Sequence, residues 1–306
     1  MERNYQLIGV ASCWGAQIRT CEDGPVVLKN SGCLERFKQA QIPIFDWETI
    51  YPEVCFKEKQ ISLKDSLPLI ADVSGRLADK VFDAMNAGNF PVAIVGDHST
   101  AIGTWNGVGS YLSQLEHQPL GLIWIDAHMD AHTEETTPSG AWHGMPVAAL
   151  LGNGNPALVQ LKRARPVIQP EHLCLIGVRS FEEGEAKLLK DLNVRVYFMD
   201  EVKRRGFHTV LQEAIAIASK DTVGYGVSLD MDVIDPAEAP GVGSPEENGL
   251  CARELLEAIP LFGRDPHLKA FELVEFNPHL DKEGMTCRLC EDILSTFLNT
   301  RSLVYG

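Results

Sequence analysis

Three potential metal ligands, Asp126, His128 and Asp130, occupy alternate positions directly after the apolar run Leu120-Gly121-Leu122-Ile123-Trp124-Ile125. An apolar run bounded by polar residues reads as a buried strand. Extended backbone turns every second side chain to the same side, which predicts that the three converge on one point. Two further apolar runs end in residues of the same kind. Val95 leads into Gly96-Asp97-His98, and Leu229 into Asp230-Met231-Asp232. In open α/β sheets functional groups collect beyond the carboxyl ends of the strands. His98, Asp126, His128, Asp130, Asp230 and Asp232 would therefore share one pocket.

Four carboxylates at close quarters repel one another unless cations sit among them, and two divalent ions would balance the charge. Carboxylate and imidazole ligands without thiolate suit manganese, with zinc, iron and cobalt as alternatives. A bridged pair of ions brings the pKa of a shared water close to neutrality and so generates hydroxide. The chemistry predicted is hydrolysis. Phosphoesters and peptides are possible targets, but no phosphate-cradling glycine loop is present. Asp97 and Asp235 read as capping or supporting residues rather than direct ligands.

The elements that must position these residues alternate in character from end to end. Strands are predicted over 6–11, 42–45, 91–95, 120–125, 172–178, 194–199, 223–229 and 268–274. Helices are predicted from Gly24-Pro25 through Phe37, over 67–87, from Ser99 or Thr100 onward, and over 147–151, 209–219, 252–259 and 285–298. Ile70, Val73, Leu77, Val81 and Met85 recur at helical steps, and Gly88 fits the left-handed position that ends a helix. Long loops cover 131–144 and 236–249. Strands alternating with helices imply a mainly parallel sheet covered on both faces, a three-layer α/β/α sandwich. No linker or repeat interrupts residues 1–306, which reads as a single domain.

Composition narrows the partners. With 45% hydrophobic and 23% charged residues the chain is an ordinary globular protein. Its net charge of -15 excludes nucleic acid, whose phosphates it would repel, and is compatible with a cationic substrate. No apolar run approaches a membrane span, and the polar start Met1-Glu2-Arg3-Asn4-Tyr5-Gln6 predicts no secretory signal. The eight cysteines are scattered, as expected of reduced thiols in a cytoplasmic protein. Cys287 and Cys290 have redox-motif spacing but fall inside a predicted helix.

Val95-Gly96-Asp97-His98-Ser99, Asp126-Ala127-His128-Met129-Asp130 and Ser228-Leu229-Asp230-Met231-Asp232-Val233-Ile234-Asp235-Pro236 together resemble the three signatures of the ureohydrolases. That family comprises arginases, agmatinases, guanidinobutyrases and formimidoylglutamases. The likeness runs from Ile8-Gly9-Val10 to Glu275-Phe276-Asn277-Pro278. It implies a binuclear manganese site and hydrolysis of a guanidino or formimino group on a small cationic substrate. It also implies a homo-oligomer, a trimer or hexamer. The same six residues become the manganese ligands, with Asp126 and Asp230 bridging. By the same likeness Glu275 anchors the substrate's guanidinium, which suits a planar fork meeting a carboxylate. His143 becomes a proton shuttle, a task fitted to an imidazole. Asp130, His143 and Glu275 are thus the candidate catalytic residues.

Ser139-Gly140-Ala141-Trp142-His143-Gly144 is more similar to arginase than to formimidoylglutamase. Gly177 to Glu185 aligns with the arginase segment that receives an α-amino group, with Glu182 where aspartate is usual and Glu185 as the second acid. Ser244 stands where threonine is typical. His132 and Ala141 stand where arginases carry asparagines that help bind the α-carboxylate, while Ser139 is retained. His132, Ser139, Glu182, Glu185, Ser244 and Glu275 form the expected substrate-binding set. Arginine is the first expectation. Agmatine, guanidinobutyrate or another guanidino compound comes next, then formimidoylglutamate. Two other classes stay open: a non-catalytic metal-binding relative, which should have lost ligands, and a binuclear esterase, which would need no carboxylate opposite the metals.

Overall fold

A computed structural model describes residues 4–54, 61–115, 119–162 and 166–305. Eight strands form one sheet: β1 (Tyr5–Val10), β2 (Ile44–Ile50), β3 (Phe90–Val95), β4 (Leu120–Ile125), β5 (Ile168–Val178), β6 (Arg195–Phe198), β7 (Tyr225–Asp230) and β8 (Leu268–Val274). Their spatial order is β2-β1-β3-β8-β7-β4-β5-β6, and every neighbouring pair is parallel. Parallel strands need a crossover between them, and the intervening segments supply helices. These are α1 (Gly24–Asn30), α2 (Cys33–Gln39), α3 (Leu67–Asn86), α4 (Ala101–Leu115), α5 (Pro146–Leu150), α6 (Pro156–Val159), α7 (Glu183–Asp191), α8 (Met199–Arg205), α9 (Phe207–Ser219), α10 (Ala252–Gly263) and α11 (Met285–Tyr305).

Alternation along the strands builds two cores. Ile94, Ile123, Ile125, Phe271 and Leu273 face one layer with Val210, Ile259 and Phe297. Val95, Leu122, Trp124, Ala270 and Val274 face the other, with Val73, Leu77 and Trp105. The three-layer architecture expected from the sequence is the one observed.

Local details differ from expectation. The first predicted helix is broken at Gly32, whose φ of 99° is open to glycine without steric cost. The second strand begins two residues later than predicted and runs on to Ile50, and β5 begins at Ile168. The helix Glu183–Asp191 was not predicted. Its start is a capping box: Glu182 and Glu185 satisfy each other's backbone amides. Ser99 and Thr100 sit inside a 3-10 turn capped by Asp97, whose side chain accepts from the Ser99 amide.

Two glycines let the helical layers close on the sheet. A Cβ on Gly121 of β4 would lie 1.9 Å from the Ala218 carbonyl, and one on Gly226 of β7 would lie 1.9 Å from the Trp105 ring. The Trp105 indole is held by its bond to Glu272, so it cannot simply swing aside. Gly226→Ala should therefore destabilise the fold by about 2–3 kcal/mol, the cost of overpacking a tight core. Denaturant unfolding checks this, and a loss below a few tenths would refute it.

The described cysteines are free thiols; Cys55 lies outside the described residues. Cys287 and Cys290 sit on α11, and burial pushes both thiols up, Cys287 to about 11. A redox pair needs the opposite shift.

Candidate metal centre

The four central strands β3, β8, β7 and β4 lie side by side, and their carboxyl ends carry the candidate residues. His98 follows β3, Glu275 follows β8, Asp230 ends β7 with Asp232 in the next turn, and Asp126, His128 and Asp130 follow β4. All six predicted ligands are brought together. Their convergence has a different cause from the one expected. The chain leaves extended geometry after Ile125, and Asp130 has a left-handed φ of 51°. Local turning, rather than strand alternation, directs its carboxylate inward.

His98 Nδ1 lies 3.0 Å from Asp130 Oδ2, 3.0 Å from Asp230 Oδ2 and 3.2 Å from Asp126 Oδ2. His128 Nδ1 lies 3.0 Å from Asp232 Oδ2 and 3.5 Å from Asp126 Oδ1. Two triads result, His98/Asp126/Asp230 and Asp126/His128/Asp232. Asp126 belongs to both, and Asp230 to the first alone. A donor set of carboxylates and imidazoles in two groups fits two divalent ions. The fit has a sharper sign. His98 Nδ1 and Asp130 Oδ2 are buried and unpartnered by any hydrogen bond, although the two atoms stand only 3.0 Å apart. Buried polar atoms are rarely left so. The arrangement is what a cation between them would resolve.

Electrostatics agree. Burial, and then the charges of Asp232 and Asp126, push the Asp230 carboxyl well above its usual range. Burial and Asp126 push Asp130 up to about 7. Asp126 is moved the other way: burial opposes its charge, but the adjacent imidazoles of His128 and His98 hold it low. Without added cations the four acids cannot all ionise comfortably.

Neighbouring side chains hold the two triads in place. Trp124 stacks on His98 with 4.0 Å between ring centroids and 9° between planes, and its indole donates to Asp126 Oδ2 at 2.8 Å. Ser228 lies 3.0 Å from His98 Nε2 and donates to Glu272 at 2.7 Å. With its proton committed to Glu272, Ser228 accepts the Nε2 proton, which leaves the Nδ1 lone pair free for a metal. Asp97 accepts from the Gly15 and Ser99 amides, and Asp235 from Ala237 and Gly249. Both support backbone, as expected.

Opposite the triads stands Glu275, also left-handed with a φ of 64°. Strained backbone of this kind persists where surrounding contacts enforce it. Its Oε1 accepts from the His98 amide at 2.8 Å and meets His143 Nδ1 at 3.2 Å. Burial would lower His143, but the hydrogen bond and charge of Glu275 prevail and raise it to about 9. The ordinary value is 6.5. The pair's contribution to stability is therefore complete below about pH 6.5 and lost as pH rises through about 9. In metal-free protein, imidazole nitrogen NMR should find the His143 midpoint near 9, and Glu275→Gln should return it toward 6.5. A midpoint unmoved by that substitution would remove Glu275 as the cause.

His98, His128, Asp130, Asp230, Asp232, Glu275 and His143 line a cavity of about 340 Å³ together with His132, Ser139, Glu182, Glu185 and Ser244. All the expected substrate-binding residues thus reach the cavity. Gln17, Ser180 and Glu246 also line it and were not anticipated, since they lie in loops without periodic signal. Glu246 Oε1 is 3.8 Å from His128 Nε2. Its loop is clamped by Arg179, which donates to the Glu246, Glu247 and Asp232 carbonyls. Trp124, Ser228 and Glu272 were likewise missed as site residues, because mid-strand positions read as core.

Known proteins resemble the chain over nearly its whole length. A model of the arginase family matches residues 3–299. The arginase of Bacillus caldovelox is 37% identical over 303 residues, covering 96% of this chain and 98% of the relative. The crystal structure of arginase from Bacillus cereus superposes with a TM-score of 0.87 at 35% identity, covering 97% of this chain and 98% of that one. Entamoeba histolytica arginase, solved in complex with L-ornithine, gives 0.86 at 26% identity, covering 97% and 99%.

Proposed function

The chain belongs to the arginase family, and on that premise we propose that it hydrolyses arginine to ornithine and urea at a pair of manganese ions. The observation that carries this reading is a buried carboxylate, Glu275, facing two imidazole–carboxylate triads across one cavity. An esterase would have no use for an acid at that place. His98, Asp126, Asp130 and Asp230 would hold one ion, and Asp126, His128 and Asp232 the other, with Asp230 the second candidate bridge. When bound, such ions supply a water activated for attack at neutral pH.

The chain's own residues do the rest. Glu275 Oε1 is engaged by His98 and His143, so the carboxylate is fixed in orientation before a substrate arrives. It then binds the guanidinium by charge-assisted hydrogen bonds and presents the guanidino carbon to the activated water. Water oxygen bonds to that carbon, the bond to the chain nitrogen breaks, and the departing amine takes a proton. His143 holds its Nδ1 proton toward Glu275 and exchanges protons with the amine or solvent through Nε2. Ser139, Ser244, Glu182, Glu185 and His132 line the part of the cavity that receives the substrate's tail.

A single domain over 1–306, a cytoplasmic setting and a homo-oligomer, trimer or hexamer, complete the reading. One sheet drawing strands from Tyr5 to Val274 supports the first. Among the described residues no helix is long and apolar enough to cross a membrane. The test is urea release by manganese-loaded protein from arginine, agmatine and guanidinobutyrate, with formamide and ammonia assayed from formimidoylglutamate. Arginine should give the highest kcat/KM. Formamide without urea would overturn the proposal.

A further inference from the structure

One wall of the cavity carries a histidine set against two acids. His132 Nε2 meets Glu182 Oε2 at 2.8 Å and Glu185 Oε2 at 3.2 Å. The first is a hydrogen bond, so unlike His98 Nδ1 this nitrogen is partnered. A nitrogen facing two carboxylate oxygens carries a proton toward them. Both Glu185 oxygens are already engaged: Oε1 accepts from the Ala131 amide and Oε2 from the Glu182 amide. Glu182 caps α7 with the same carboxylate that meets His132. An ammonium seeking this acid pair would have to displace the imidazole.

The imidazole is held in place by a built network. Its Nδ1 meets Thr136 Oγ1 at 3.1 Å, and that hydroxyl also accepts from the Thr133 amide. Thr136 in turn fits against Gly184, where a Cβ would lie 2.6 Å from the threonine Cβ. His132 is 6% exposed and Glu185 3%, while the Glu182 side chain is 58% exposed. The lining around His132 also includes Gln17, Ser139, Ser180, Ser244, Glu246 and the apolar Ala141 and, among the described residues, no lysine or arginine.

We infer that His132 is a specificity-determining residue that fills the two-glutamate subsite, so that this centre also hydrolyses guanidino acids lacking an α-ammonium group. The inference rests on the arginine reading above. A site built to hydrogen-bond a polar group rejects an analogue without it by roughly 10⁴-fold, because its buried partners are left unpaired. Here His132 already pairs those partners, so the penalty disappears. The reaction is unchanged: water adds to the guanidino carbon, the bond to the chain nitrogen breaks, and urea and an amino acid leave.

The probe is 5-guanidinopentanoate, which is arginine without its amino group and yields 5-aminopentanoate. Steady-state kinetics on manganese-loaded wild type should give an arginine to 5-guanidinopentanoate ratio of kcat/KM below about a hundredfold, well short of the penalty for an unpaired site. His132→Asn, too short to reach both carboxylates, should raise that ratio about tenfold or more as the acid pair is freed. The change should appear mainly as a lower KM for arginine. Thr136→Val, which keeps the packing but removes the hydroxyl on Nδ1, should move the ratio the same way by less. A wild-type ratio above a hundredfold, or one unmoved by both substitutions, overturns the inference while arginine turnover stands. Urea from neither substrate would instead sink the arginine reading itself.

Discussion

Glu275→Gln should keep both metal ions and lower urea production from arginine by about 10³-fold, the loss expected when a charged, preorganised partner of the reacting group is made neutral. Glutamine preserves the shape and can still accept the His98 amide proton, so the strand end should hold. What disappears is the negative charge. An amide NH₂ turned toward a guanidinium repels it, and a carbonyl oxygen alone gives no charge-assisted pair. The effect should divide between KM and kcat, because the carboxylate both binds the fork and aims its carbon. Elemental analysis checks metal content and a colorimetric urea assay checks turnover. Near-normal urea release with full metal occupancy would show that Glu275 is not the guanidinium anchor.

The second large effect is predicted for Asp126. Its Oδ2 faces His98 and its Oδ1 faces His128, so it is the residue common to both triads. Asp126→Asn should lower metal content from two ions to almost none and abolish hydrolysis. Asp232→Asn, in the His128 triad alone, should lose one ion. Thermal unfolding offers an independent readout. An ion present at about a hundred times its Kd stabilises the folded protein by about 2.7 kcal/mol. Wild type should gain roughly that for each ion, the Asp232 variant for one, and the Asp126 variant for none. Two tightly held ions in Asp126→Asn would refute the shared role.

Particular residues show how far the sequence could be read. His98, Asp126, His128, Asp130, Asp230 and Asp232 were identifiable because each follows an apolar run, and a buried parallel strand can end only in a limited set of places. The same rule explains the sheet and its two covered faces. Asp130 shows where local reasoning failed. Alternation predicted its direction correctly for the wrong reason, since a left-handed backbone aims it. Glu182 and Glu185 read from the sequence as substrate-facing acids, but their spacing is also the capping box that starts α7. Glu272 lay within an apolar strand and read as core. Its use emerges only when β7 brings Ser228 alongside it, as the paired register of those two positions shows. The contact that gives His132 its meaning likewise joins a loop to a helix start fifty positions away.

The spatial order of the strands has a kinetic consequence. The centre lies across β3, β8, β7 and β4, neighbours in space whose sequences come from two distant stretches of chain. His98 through Asp130 are synthesised long before Asp230, Asp232 and Glu275. A nascent chain that has emerged only through α5 carries His98, Asp126, His128 and Asp130 with nothing to close against. Contacts of such long range form late, after loop closure has been overcome. Each triad takes one acid from the later stretch, so a complete site for either ion belongs only to the finished sheet.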